Sequence, residues 1–146
     1  MLAKLADQNS FQRAHWPHLR EISQLSGFDQ FSEQCPFTTK DTLAKDRMDH
    51  PPYGTNLTYP LNHYTRFHQT SGTLGVPMAW LDTPDDWQWM LGNWDVVLEN
   101  AGVQKGDKCF FAFSFGPFLG FWTAHDAANK RGCLCIPLSL IHISEP

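Results

Sequence analysis

The chain has 146 residues, of which 42% are hydrophobic and 18% charged, a composition typical of a globular protein and not of a disordered one. Its formal net charge is −4 at pH 7 and its Lys and Arg residues form no basic stripe, so the electrostatic footprint of a nucleic-acid partner is missing. The apolar run over residues 109–122 is shorter than the roughly 20 residues that a helix needs to cross a bilayer, so it predicts buried core and no membrane partner.

The cysteines and the first residues bear on the compartment and on metal binding. Lys4 and Asp7 interrupt any apolar run at the start of the chain, so we expect no secretory signal and reduced thiols in the cytoplasm. Cys133 and Cys135 would point to one face of a strand, but no second pair of metal ligands accompanies them. We therefore predict no metal site.

The amino-terminal part of the chain predicts short helices and a loop. Leucine and isoleucine at helical spacing favour a helix over residues 19–25 that ends at the next glycine. Thr38 or Thr39 can cap a second short helix that runs through Leu43. Residues 49–60 are rich in proline and predict a loop.

Two predicted strands, residues 64–69 and 76–81, flank a loop with the sequence TSGTLG and favour a β-hairpin. The loop combines small hydroxyl side chains with glycines, whose backbone N–H groups can surround an anion. It lacks the lysine and the following helix of a Walker loop, and the chain lacks the glycine spacing of a dinucleotide-binding fold. From composition alone, a purely structural turn explains this loop equally well.

The clearest predicted helix begins at Pro84. Thr83 can cap its first turn, Asp85 and Asp86 suit the positive end of the helix dipole, and Gly102 ends it. Apolar residues at three- and four-residue steps predict one buried stripe: Trp87, Met90, Leu91, Trp94, Val97, Leu98 and Ala101. This spacing favours packing in the core over ligand stacking by the tryptophans.

The last part of the chain predicts a βαβ unit. Residues 108–113 favour a buried strand, a glycine-rich aromatic turn follows, and residues 118–131 favour a helix that Gly132 ends. Residues 133–138 favour a second buried strand. Such a unit requires parallel pairing, which places the chain in the α/β class. Ligands of these sheets collect beyond the carboxyl ends of the strands, where the aromatic turn lies.

Several motifs in a fixed order resemble the adenylate-forming superfamily of acyl-CoA synthetases, adenylation domains and luciferases, and most closely its phenylacetate–CoA ligase branch. The loop TSGTLGVP is similar to the superfamily's T/S-S-G-T-T-G-x-P loop. The other matching motifs are PFTTK at residues 36–40, R-x-H at Arg66 and His68, AGVQKGD at residues 101–107, the aromatic turn at residues 113–118 with Ala124 and His125, and GCLCIP at residues 132–137. The resemblance covers residues 19–137.

This resemblance implies the amino-terminal part of an ATP-dependent acid–CoA ligase, with a β-hairpin phosphate loop followed by a βαβ unit. Such an enzyme activates a small-molecule carboxylic acid, for which an arylacetate is the candidate, as an acyl-adenylate and transfers the acyl group to coenzyme A. The implied cofactors are ATP, Mg²⁺ and coenzyme A. In the family the loop binds the β- and γ-phosphates of ATP, which implies phosphate binding by Thr70, Ser71, Gly72, Thr73 and Gly75.

The loop departs from the family pattern at Leu74, where a threonine is usual, and at Met78, where the wider superfamily often has lysine. The change at Leu74 removes one hydroxyl donor, which lowers the expected phosphate affinity by about 1 kcal/mol.

The aromatic turn is the second site that the resemblance implies, because in the related ligases it helps line the site of the aromatic acid. The pocket candidates are Phe115, Gly116, Phe118 and His125. The alternative interpretation is that the turn residues pack between sheet and helix and that His125 is a histidine of the core. The arginine and histidine of the R-x-H motif flank the loop, and for them we favour a structural role.

The family's adenine- and ribose-binding motifs, its acidic hinge and its carboxyl-terminal lysine do not occur in this sequence, so we assign no catalytic residue and expect the chain alone to be inactive. Residues 1–137 are interpreted as an incomplete amino-terminal adenylation-type domain. Residues 138–146, LSLIHISEP, resemble the translation of a sequencing adapter and are interpreted as a non-native tail.

Two other functions stay open at this point. One is an adenylating enzyme that delivers its acyl group to a carrier protein or an amine. The other is a non-catalytic module that binds a nucleotide or a partner.

Overall fold

The computed structural model describes residues 2–16, 18–22, 24, 27–70, 77–113 and 116–138. The chain forms two compact units, Met1–His63 and Tyr64–Pro146. In the described part of the chain, no helix is long and apolar enough to cross a membrane.

The first unit is helical. Its α-helices are α1 (Leu2–Gln8), α2 (Ser10–His15), α3 (Leu19–Ile22), α4 (Phe28–Gln34) and α5 (Lys40–Asp49), and a 3₁₀-helix follows at Leu61–His63. The helix predicted over residues 19–25 is therefore shorter than expected, and α1, α2 and α4 were not predicted. The helix predicted through Leu43 extends instead to Asp49. Of its two possible caps the structure uses Thr39, whose side chain accepts from the backbone N–H of Thr42.

Asn9 organises the contacts inside this unit. Its Oδ1 accepts from the backbone N–H of Gln12 and so caps α2, while its Nδ2 donates to Asn56 Oδ1 and Thr58 Oγ1. Asn9 is buried next to Phe11, so its amide is satisfied within the protein. The loop predicted over residues 49–60 is thus tied to the first helices by hydrogen bonds.

The second unit begins with the predicted hairpin. Strands β1 (Arg66–Gln69) and β2 (Ala79–Asp82) pair antiparallel, with Arg66 opposite Asp82 and Gln69 opposite Ala79. The two strands start or end within a few residues of the predicted bounds.

Helix α6 (Pro84–Asn100) follows the hairpin and is capped as predicted. The Thr83 side chain accepts from the backbone N–H of Asp86, whose carboxylate accepts in return from the Thr83 N–H. Trp87 and Leu91 are buried, which confirms the first part of the predicted stripe. The prediction was wrong for the carboxyl-terminal part of the stripe, since Val97 is 53% exposed and Ala101 is also exposed.

The βαβ unit completes the fold and confirms the α/β class. Strand β3 (Lys108–Ala112) pairs parallel with β4 (Leu134–Leu138), and α7 (Leu119–Arg131) connects them. One core cluster joins the sheet to the helix: Phe111, Ala124, Ala128 and Cys133. Leu138, the first residue of the predicted tail, is the last residue of β4, and residues 139–146 lie outside the described residues.

Candidate functional site

Thr70 closes the base of the candidate phosphate loop. Its backbone N–H donates to the carbonyl of Met78 over 3.0 Å, and its Oγ1 accepts from the Met78 N–H, also over 3.0 Å. The hydroxyl keeps its proton, so it can still donate to an acceptor such as a phosphate oxygen. The other predicted phosphate-binding residues lie outside the described residues: Ser71, Gly72, Thr73 and Gly75. Their role stays a prediction.

The aromatic turn lies directly against the strand that leads into this loop. The backbone N–H of Gln69 donates to the carbonyl of Pro117 over 2.7 Å. Gln69 is the last residue of β1 and precedes Thr70 in the chain. The hydrogen bond therefore brings the two candidate sites, predicted from separate parts of the sequence, next to each other.

Gly116 and Phe118 are the two turn residues among the pocket candidates that the structure describes, since Phe115 lies outside the described residues. A Cβ added at Gly116 would lie 2.8 Å from the ring of Phe118, so a side chain there would force this ring to move. Phe118 is partly buried and meets Phe121 edge to face, with 6.1 Å between ring centroids. A residue larger than glycine at position 116 therefore fits only if the Phe118 ring shifts.

His125, the remaining pocket candidate, lies among aromatic rings on α7. Its ring meets Phe111 edge to face at 5.3 Å and Trp122 at 6.0 Å. Its Nδ1 lies 3.2 Å from Asp126 Oδ1. These contacts place His125 at the edge of the core and beside Trp122, which itself contacts the turn. A role in substrate binding stays a prediction.

Arg66 joins the hairpin to both long helices. Its Nη2 donates to Asp126 Oδ2 over 2.8 Å, and its guanidinium carbon lies 3.9 Å from the centroid of the Trp87 ring. The indole N–H of Trp87 donates to the same Asp126 oxygen over 3.1 Å. These contacts agree with the structural role that we favoured for Arg66.

His68 is buried against the same tryptophan. Its ring stacks on Trp87 with 5.2 Å between centroids, and its Nε2 lies 3.5 Å from Asp82 Oδ2. Burial lowers the pKa of His68, and the neighbouring Arg66 lowers it further. Burial raises the pKa of Asp82, and the charge of Asp86 adds to this effect. Both shifts favour the neutral forms, so burial works against an ion pair between His68 and Asp82.

Four residues that support the site were not predicted as such: Gln69, Trp87, Trp122 and Asp126. Gln69 acts through its backbone, which leaves no trace in the sequence. Trp87 was assigned to the core from its spacing, and the indole N–H donors of Trp87 and Trp122 gave no separate signal. Asp126 offered the best clue, because an acid between Ala124 and the buried Ala127 needs a partner when its helix packs on a sheet.

No protein-family model matches the chain. The chain is 35% identical to phenylacetate-coenzyme A ligase of Pseudomonas putida over 108 residues, which cover 71% of this chain and 23% of that protein. It is 33% identical to phenylacetate-coenzyme A ligase of Escherichia coli (strain K12) over 129 residues, which cover 86% of this chain and 26% of that protein. The chain therefore spans about a quarter of the length of these curated relatives.

Solved structures show the same fold. 2-Hydroxyisobutyryl-CoA ligase in the postadenylation state, in complex with 2-HIB-AMP, matches 94% of this chain and 29% of its own with a TM-score of 0.82 and 24% identity. The same ligase in complex with 2-HIB-AMP and CoA, in the thioesterification state, matches 93% of this chain and 29% of its own with a TM-score of 0.81 and 26% identity. The fold predicted from the sequence is thus that of a part of an adenylate-forming ligase.

Proposed function

We propose that this chain, which belongs to the phenylacetate–CoA ligase branch of the adenylate-forming superfamily, is part of an AMP-forming acid–CoA ligase that activates a carboxylic acid as an acyl-adenylate. The acyl group then passes to coenzyme A. The observation that carries this proposal is the hydrogen bond from Gln69 to Pro117, because it places the base of an anion-type loop against an aromatic turn. Adenylation requires the carboxylic acid to lie next to the nucleotide phosphates, and two adjacent binding sites meet this requirement.

The loop supplies the nucleotide side of the site. We assign phosphate binding to Thr70, Ser71, Gly72, Thr73 and Gly75, whose N–H and O–H donors can face the β- and γ-phosphates at close range. The fixed base supports this assignment, because the two hydrogen bonds between Thr70 and Met78 hold the ends of the loop together. A loop with fixed ends loses less entropy when it closes around a ligand.

The described residues fit Mg²⁺ only as an ion that arrives with the nucleotide. Among them, no group of three or more His, Cys, Asp or Glu side chains could hold a metal ion. Mg²⁺ commonly binds through substrate phosphates and keeps several water ligands, so a protein cage is not required. When bound, the ion would neutralise the charge of the pyrophosphate leaving group.

The aromatic turn supplies the acid side of the site. Gly116, Phe118 and Phe115 offer flat apolar surface and little steric bulk near the backbone, which suits an arylacetate. His125 would border this surface from α7. Related proteins support the substrate class in part, since the curated relatives are phenylacetate-coenzyme A ligases. The 2-HIB-AMP and CoA bound to the structural relative support the use of ATP and CoA.

The complete gene product tests the proposal. We expect it to catalyse exchange between ATP and pyrophosphate only when an arylacetate is present, and to form a thioester when coenzyme A is added. We expect the chain of residues 1–146 alone to catalyse neither step, because it spans about a quarter of its relatives.

Two outcomes would favour other functions. Exchange without a thioester, but with transfer to a carrier protein or an amine, would favour an adenylating enzyme of another type. A complete product that binds ATP without any exchange would favour a non-catalytic module.

A cytoplasmic location stays a prediction from the four cysteines, which are all free.

A further inference from the structure

Two successive carbonyl groups of the aromatic turn accept hydrogen bonds from donors on two different elements. The indole Nε1 of Trp122, on α7, donates to the Gly116 carbonyl over 2.9 Å. The backbone N–H of Gln69, on β1, donates to the Pro117 carbonyl over 2.7 Å. Each carbonyl belongs to a different peptide plane, so the two bonds together restrict the rotation of the peptide units over residues 116–118.

This pair of bonds connects the acid side of the proposed site to the nucleotide side. Gln69 precedes Thr70, whose own bonds to Met78 close the base of the loop. On the other side, Trp122 is one turn of helix away from Phe118, whose ring would meet a Cβ added at Gly116. Two hydrogen bonds and the adjoining backbone therefore form a continuous path from Thr70 through Gln69, Pro117 and Gly116 to the indole of Trp122.

We propose that Trp122 is a positioning residue that fixes the aromatic turn against β1 and thereby couples binding of the acid to binding of the nucleotide. This inference rests on the proposed function of the two sites. If the turn shifts when an aromatic acid enters, the shift acts on Gln69 and on the residue that follows it. Coupling of this kind is reciprocal, so each ligand changes the affinity of the other by the same factor, typically about 5-fold or more.

The first experiment follows the indole directly. The ¹⁵N-labelled complete gene product is titrated with the magnesium complex of α,β-methylene-ATP, which cannot form an adenylate, and then with phenylacetate. We expect the nucleotide analogue to shift the amide resonances of Gln69 and Thr70 and the indole resonance of Trp122. The indole of Trp89, which is 73% exposed on α6, serves as the internal control and should not shift.

The pattern of shifts separates the two proposals. Shifts at Thr70 with an unchanged Trp122 indole would overturn the coupling and leave the phosphate loop in place. An analogue that shifts no resonance at all would overturn the proposed function, and the coupling with it.

The second experiment removes the indole donor. Trp122→Phe keeps an aromatic ring beside His125 but cannot donate to Gly116, and Trp89→Phe is the matched control. In the wild-type chain and in the control, we expect phenylacetate to change the dissociation constant of the nucleotide analogue about 5-fold or more. In Trp122→Phe the change should fall to within about twofold, because a lost hydrogen bond of ordinary strength corresponds to about a fivefold factor.

A purely structural role for Trp122 would lower the urea midpoint of the variant without reducing this factor. Full coupling in a folded Trp122→Phe chain would therefore contradict the inference. If the variant fails to fold, the response of the wild-type indole decides the question.

Discussion

The guanidinium group of Arg66 donates to the carboxylate of Asp126 over 2.8 Å, although the two residues are 60 positions apart in the sequence. Arg66 lies on the strand before the candidate phosphate loop, and Asp126 lies on the helix after the aromatic turn. The indole of Trp87 bonds the same carboxylate and packs against the same guanidinium group. One carboxylate thus joins the hairpin, α6 and α7, and the geometry of the proposed site depends on it.

Replacing Arg66 by Met should destabilise the chain by about 2 kcal/mol. The substitution keeps most of the apolar stem but leaves the half-buried Asp126 carboxylate without its cationic partner and removes the cation–π contact with Trp87. Urea unfolding followed by far-UV circular dichroism measures the change. Lys45→Ala, which removes an ion pair between exposed side chains on α5, is the control and should leave the midpoint near the wild-type value. Equal urea midpoints for the two variants would show that the pairing of Arg66 with Asp126 does not stabilise the chain.

The stability of the chain should fall as the pH drops below about 6.5, and His68 should cause part of this fall. Its pKa in the folded chain lies below the ordinary value of 6.5, so the unfolded chain binds the proton first on acidification. The free energy of unfolding then decreases as the pH falls from 6.5 through the folded pKa. The groups that face His68 are Arg66 and Asp82, and Asp82, with its raised pKa, acts in the opposite direction.

The variant His68→Phe isolates this contribution, because it keeps the stacking on Trp87 and leaves Arg66 and Asp82 in place. Thermal unfolding at a series of pH values between 5 and 7.5 should show a smaller loss of stability in the variant than in the wild type. Two parallel pH profiles would mean that His68 does not titrate with unfolding.

Cys109 should react slowly with iodoacetamide in the folded chain. Its pKa is raised from 9.0 to about 11, mainly by burial and then by the neighbouring Cys133 thiol, so its thiolate fraction at pH 8 is about 100-fold lower than for an ordinary thiol. Mass spectrometry of the alkylated chain, with and without urea, measures the protection of each cysteine. Alkylation of Cys109 at the same rate in both conditions would contradict the packing of β3 against α7.

The elements that the sequence predicted well carry strong local signals. The Thr83–Pro84 cap and the glycines at positions 102 and 132 fixed the ends of both long helices, and both glycines have the positive φ expected of them, 75° and 91°. The strands of the hairpin and of the βαβ unit were predicted from their composition, but the predicted burial of β3 and β4 was wrong. Within these two strands only Phe111 is buried, and Phe110 and Leu134 are 62% and 57% exposed, because in the described part of the chain each strand has a partner on one side only. In each case the information lies within a few neighbouring residues.

The features that were not predicted depend on contacts between residues that are far apart in the sequence. Helices α1, α2 and α4 have few apolar residues at regular spacing, and α2 is held by Asn9, whose partners Asn56 and Thr58 lie in another part of the chain. Val97 continues the apolar periodicity of α6, but periodicity shows which face is buried and not how far the neighbouring elements extend along it. The bond from Gln69 to Pro117 joins two backbones, which no side-chain pattern encodes.

The most direct measurement is a calorimetric titration of the complete gene product with Mg-ATP, in the wild type and in the double variant Ser71→Ala, Thr73→Ala. The phosphate loop predicts that the double variant binds about 10-fold to 100-fold more weakly, because two hydroxyl donors to charged oxygens are lost. The control double variant Ser32→Ala, Thr38→Ala makes the same chemical change at exposed positions and should bind like the wild type. Equal affinity of all three proteins for Mg-ATP, or no binding by the wild type, would contradict a phosphate-binding role for the loop.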